Sequence, residues 1–86
     1  MSIDFYSMPG CGFCQRAEEL FSTELGNGTM VKKPSSEAKG VTGFPHFTFN
    51  EKTHTGLPSS KAELYTKLDF NVENYQRMSF DWVGVL

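Results

Sequence analysis

The sequence predicts an α/β domain: a central mixed sheet of about four strands with helices packed on it, and with the second helix shortened or absent. Three observations carry this expectation. Residues 2–7 alternate and are rich in Ile, Phe and Tyr, as in a half-buried strand. Residues 12–25 then place Cys14, Ala17, Leu20, Phe21 and Leu25 at helical spacing. Pro45 opens a second alternating run that is followed by turn residues, another extended segment and a helical pattern, so the second half reads as a hairpin and a closing helix.

The elements follow in order. Pro9-Gly10 breaks the first strand and turns the backbone into a helix expected from Gly12 to Leu25, which Gly26-Asn27-Gly28 ends with residues that tolerate positive φ. Glu18, Glu19 and Glu24 are expected in solvent. Arg16 is read as a surface residue, with support of a Cys11 thiolate as the alternative. Thr29–Lys32 forms a short second strand, and Pro34–Gly40 holds little more than one helical turn. Because proline is tolerated at the first position of a strand and not in its middle, the third strand is His46–Phe49, with Phe47 and Phe49 on one face. Asn50–Thr53 supplies the turn and His54–Leu57 the returning strand. Ser60 with Glu63 fits a capping box, and Leu64, Tyr65 and Leu68 make the stripe that faces the sheet. Residues 71–86 carry Val72, Tyr75, Met78, Phe80, Trp82, Val83, Val85 and Leu86 without a clean period. They are read as a C-terminal extension that packs on the domain, or else as a docking segment.

Eighty-six residues make one domain, 1–86, with a small core, and 14% aromatic content assigns much of its stability to ring packing. A net charge of −2 with no basic stripe argues against a nucleic-acid partner, and no apolar run approaches the ~20 residues that span a bilayer. No export signal is read at the N-terminus, so a cytoplasmic location is expected, where thiols are kept reduced.

Both cysteines of the chain lie in Pro9-Gly10-Cys11-Gly12-Phe13-Cys14, at the junction of strand and helix. At a helix start the unpaired backbone N–H groups and the positive end of the macrodipole favour an anion, so Cys11 is expected to be the nucleophile. Cys14, one turn inward, is expected to be the resolving thiol. As a structural staple a disulfide here is poor: closing a loop of about four residues is worth ~2 kcal/mol, against ~3 for fifteen. A zinc site would need two more ligands, and His46 and His54 are spaced more widely than the usual three to five residues. Reversible thiol chemistry is therefore the leading reading, with a metal or cluster site and an inert bridge as the alternatives.

Strand, Cys-Gly-Phe-Cys, helix, strand, Phe44-Pro45, hairpin and helix together resemble the thioredoxin superfamily, most of all its glutaredoxins, over residues 2–69. The resemblance implies a trimmed thioredoxin-like fold. It also implies a cis proline at Pro45 lying against the sulfur pair, with the Phe44 backbone turned toward an extended substrate, and Phe13 and Phe44 at an apolar rim together with His46. The activity it implies is dithiol–disulfide exchange on disulfide-containing proteins or small molecules by a monomer, without a bound cofactor. Electrons would come from glutathione or from a thioredoxin or glutathione reductase system.

The Gly-Phe filling is also similar to monothiol glutaredoxins, which implies as one alternative an iron–sulfur cluster held between two chains through Cys11 and two glutathione thiols; a non-catalytic binding module using the aromatic residues of 71–86 is the other. The family's departures matter as well. Met8 stands where glutaredoxins carry a lysine, Gly43 where they carry a threonine, and Ser59-Ser60 where they carry acidic residues, so free glutathione is expected to bind weakly. A thioredoxin's buried aspartate would fall at Phe5, which removes that proton relay.

Overall fold

The computed structural model describes residues 2–70, and the expectation for residues 71–86 lies outside them. Four strands form one mixed sheet in the order β2-β1-β3-β4: β1 (Ile3–Ser7), β2 (Met30–Pro34), β3 (His46–Phe49) and β4 (Lys52–Thr55). β1 runs parallel to β2 and antiparallel to β3, and β3 runs antiparallel to β4. A parallel pair needs a long crossover, supplied here by α1 (Gly12–Leu20) and α2 (Ser22–Asn27). A third helix, α3 (Lys61–Lys67), follows the hairpin. No helix among the described residues is long and apolar enough to cross a membrane.

Alternation along β1 buries Ile3, Phe5 and Ser7 and leaves Asp4 and Tyr6 half-buried on the other face. The register sets Phe5 opposite Phe47, and their rings stack at 5.1 Å between centroids. Phe21 meets Phe47 edge-on at 5.8 Å. Ala17, Leu64, Tyr65 and Leu68 from the helices close over the same face, and Phe70 sits at 83° to Phe49 with centroids 4.7 Å apart. An edge-on aromatic pair of this kind adds about 0.5–1.5 kcal/mol beyond its buried area.

The structure corrects four boundaries, one capping bond and one environment. The helix expected over Gly12–Leu25 is broken at Phe21, whose φ of −105° and ψ of 26° leave the helical basin while its ring enters the core. The second strand extends to Pro34, and the expected helical turn after it is a single 3-10 turn, Ser35–Glu37. The returning strand starts at Lys52, not His54, because Asn50, with a φ of 56°, makes the turn with Glu51 alone. The capping box is shifted by one residue at its reciprocal bond. Ser60 Oγ accepts the Glu63 N–H at 3.1 Å, while Glu63 Oε1 accepts from the Ser59 N–H at 2.7 Å, which holds the Glu63 carboxyl below the usual carboxylate range.

The environment is that of Glu24, expected in solvent but only 3% exposed. After the break at Phe21, α2 turns this carboxylate toward α3, where Glu24 Oε2 accepts from Lys61 Nζ at 3.0 Å and from the Tyr65 hydroxyl at 3.3 Å. A buried carboxylate that loses its cation keeps the full cost of its desolvation. Lys61→Met should therefore lower the unfolding free energy by about 2–4 kcal/mol in urea titrations. Glu24→Met combined with Lys61→Met should recover most of that loss, since an apolar pair leaves no charge to solvate. Equal destabilisation by the single and double variants would show that the ion pair is not the source.

Candidate functional site

The thiol site is assembled where two chain turns meet at one end of the sheet. β1 ends at Ser7, and Gly10 carries the loop into α1 with a φ of 75°, a conformation a glycine adopts without steric cost. Cys11 is the N-cap of α1. Its backbone is extended, and its Sγ accepts the Cys14 N–H at 3.1 Å, so the sulfur takes the place of the oxygen that usually caps a helix. The Cys11 carbonyl accepts from the Gln15 N–H at 3.1 Å, closing the first helical turn behind the sulfur. Both cysteines are free thiols, Cys11 half-buried and Cys14 buried.

Burial pushes the Cys14 thiol above its ordinary value, as does its hydrogen bond with Cys11, while the Met8 N–H and the Ser7 hydroxyl act in the opposite direction. The buried thiol thus holds its proton more firmly than an ordinary cysteine. Ser7 was not expected at the site. Its signal in the sequence is position alone, as the last inward-facing residue of the strand that leads to the cysteines.

The second turn precedes β3. The Phe44–Pro45 peptide bond is cis, and the Phe44 carbonyl lies 3.8 Å from Cys11 Sγ, within reach of the thiol proton. Pro45 is fully buried, and its carbonyl accepts the Gly56 N–H at 2.7 Å. His46 is buried too, with Nδ1 2.8 Å from Thr55 Oγ1. A Cβ at Gly43 would stand 2.8 Å from Thr55 Cγ2, so the bend packs against β4 with no room for a side chain there.

The expected rim is brought together only in part. Phe13 is 58% exposed, and the Arg16 guanidinium lies 5.9 Å over its ring, which places Arg16 on the surface. His46 is turned to Thr55 and Tyr6 and is too buried to form a rim. Instead a cleft of about 730 Å³ opens beside Cys11 on the β2 side, between Gln15 and Glu18 of α1 and the Lys32–Ser36 segment, with Met8 and Pro9 also lining it. Sequence reasoning missed this cleft. Among the described residues, no group of three or more His, Cys, Asp and Glu is placed to hold a metal ion.

Two outcomes follow from the second turn. Burial, with a smaller contribution from His54, holds His46 below the 6.5 of a free imidazole, so the unfolded chain takes up a proton that the folded chain resists. The stability this confers is complete above pH ~6.5 and is lost as the pH falls through that value toward the folded pKa. His46→Gln should flatten the stability curve in that acid window, and an unchanged slope would show that another group titrates there. Gly43→Ala should force Thr55 to another rotamer and break its bond to His46, lowering the melting temperature by several degrees, about 1–2 kcal/mol. Adding Thr55→Ser, which removes Cγ2 and keeps the hydroxyl, should restore most of the loss.

No protein-family model, no curated protein and no solved structure matches this chain.

Proposed function

We propose that this protein is a thiol–disulfide oxidoreductase of trimmed thioredoxin-like architecture, in which Cys11 attacks the substrate and Cys14 resolves the mixed disulfide. The observation that carries the reading is the Cys11 sulfur itself. It caps a helix, accepts a backbone N–H, and faces the Phe44 carbonyl, while a second thiol waits one turn inside. The strand order β2-β1-β3-β4 and the Phe44–Pro45 bend beside the sulfurs support the architectural part.

In the reaction, Cys11 Sγ as thiolate forms a bond to one substrate sulfur as the substrate's S–S bond breaks, and the departing sulfur takes a proton from solvent. Cys14 then gives up its thiol proton and attacks Cys11 Sγ, displacing the remaining substrate sulfur, which is protonated in turn. Two electrons pass to the substrate and the Cys11–Cys14 disulfide closes. An external thiol, or a thiol reductase system acting on this disulfide, returns it to the dithiol. The backbone beside Phe44 offers a partner chain its hydrogen-bonding groups as an added strand would.

The reading is tested by reduction of a disulfide substrate under anaerobic conditions, with glutathione and its reductase in one arm and a thioredoxin reductase in the other. Turnover is expected in at least one arm. Iodoacetamide should label the half-buried Cys11 before the buried Cys14, whose thiol is held above its ordinary value. Cys14→Ser should accumulate a mixed disulfide and Cys11→Ser none. Faster labelling of Cys14, or trapping by Cys11→Ser, would reverse the assignment.

A further inference from the structure

β1 turns Ile3, Phe5 and Ser7 toward the helical layer, and Ser7 is the polar member of that row. Ile3 and Phe5 belong to the core, while Ser7 stands at the end of the strand, where the cysteine loop departs. It is only 9% exposed, and a hydroxyl taken that far out of water costs free energy unless it finds a hydrogen-bond partner. Its partner is the Cys14 thiol, which also meets the Met8 N–H. Ser7, Cys11 and Cys14 all line the β2-side cleft, so the hydroxyl and the two sulfurs share one opening.

The two steps of disulfide exchange make different demands on Cys14. In the dithiol, its hydrogen bond with Cys11 and the Cys11 charge both oppose its ionisation. Once Cys11 is bonded to a substrate sulfur it carries no charge, and that part of the opposition ends. Burial remains, and the groups that work against burial are the Met8 N–H and the Ser7 hydroxyl. The charged residues around the site are engaged elsewhere. Glu18 and Lys32 pair with each other at 3.1 Å, Lys33 reaches Asp4 at 3.4 Å, and His46 of β3 is turned to Thr55. None of these acts on the Cys14 thiol.

We propose that Ser7 is a catalytic residue of the resolving step, its hydroxyl donating to Cys14 Sγ as that sulfur loses its proton and attacks Cys11. This rests on the oxidoreductase reading and assigns a residue to its second half. A serine hydroxyl both accepts and donates, so it can accept from the Cys14 thiol at rest and rotate to donate when the thiolate forms. A donor bonds an ionised sulfur more strongly than a neutral one, so the contact favours the reacting form over the resting form. The Cys14 proton leaves through the cleft as a bond forms between Cys14 Sγ and Cys11 Sγ. The bond from Cys11 to the substrate sulfur breaks, and that sulfur departs with its electron pair and takes a proton from solvent. Ser7 itself transfers neither proton nor electron.

The test oxidises the full chain with one equivalent of the symmetrical disulfide of nitrothiobenzoate, whose coloured thiolate is released twice. The first release reports attack by Cys11 and the second reports attack by Cys14 on the mixed disulfide. Ser7→Ala should leave the first release unchanged and slow the second about tenfold at neutral pH. The pH midpoint of the second release should move upward, and the two chains should converge at alkaline pH, where the thiolate forms unaided. Ser7→Thr and Ser7→Val have the same shape and differ in the hydroxyl, so the first should behave as the native chain and the second as Ser7→Ala. An unchanged second release in Ser7→Ala overturns the proposal, as does slowing by the same factor at every pH, which is the mark of a packing defect.

Failure to turn over any peptide or small-molecule substrate would sink the oxidoreductase reading and leave this two-stage measurement standing. If the second release is missing from the native chain, the resolving role of Cys14 fails, and the hydrogen bond is then decided by titration. The Cβ carbon shift of labelled Cys14, followed by NMR against pH in Cys11→Ser, should show a higher midpoint when Ser7→Ala is added. Equal midpoints overturn the assignment of Ser7.

Discussion

The stack of Phe5 on Phe47 is the contact from which the site follows. It ties β1 to β3 at a register that also sets Tyr6 opposite His46, so that the C-terminal end of one strand lies beside the N-terminal end of its antiparallel neighbour. The chain leaves β1 through the cysteine loop and enters β3 through the Phe44–Pro45 bend. Two turns separated by about thirty residues of sequence thereby meet, with a sulfur on one and a carbonyl on the other. A shift of a single residue would carry Phe47 to the opposite face and take the bend away from the thiols, because side chains alternate along a strand. The aromatic core thus sets the geometry of the chemistry as well as the stability of the fold.

Much of this was legible because its signals are local. A strand, a Pro-Gly break and a helical pattern read in succession place Cys11 at a helix start, and an alternating run that begins at proline fixes β3. The break at Phe21 was not legible, since the apolar spacing continues through it and nothing in the sequence marks the turn of the axis. The burial of Glu24 followed from that break and was hidden with it. A glutamate on a helix reads as solvated until its cation is known, and Lys61 lies 37 residues away. The β2-side cleft was also out of reach, because it is formed by the space around a short connection and not by any residue pattern.

The two thiols divide their environments in a way that suits successive roles. Cys11 receives a backbone N–H and is half-buried, while Cys14 is buried, which makes its thiol hold its proton more firmly than usual. Support for the partner turn comes from Thr55 at the end of β4 and from Gly56 just after it, so the strand set apart from β1 by β3 still helps hold the bend that faces the cysteines.

The cluster of Glu24, Lys61 and Tyr65 also bears on how the molecule comes apart. It joins α2, which belongs to the first crossover, to α3, the last described helix, through a carboxylate that water does not reach. If α3 lifted away alone, it would strip that carboxylate of both its partners. Separating the two helices therefore breaks both contacts in the same step, which couples the opening of the last described helix to the first crossover.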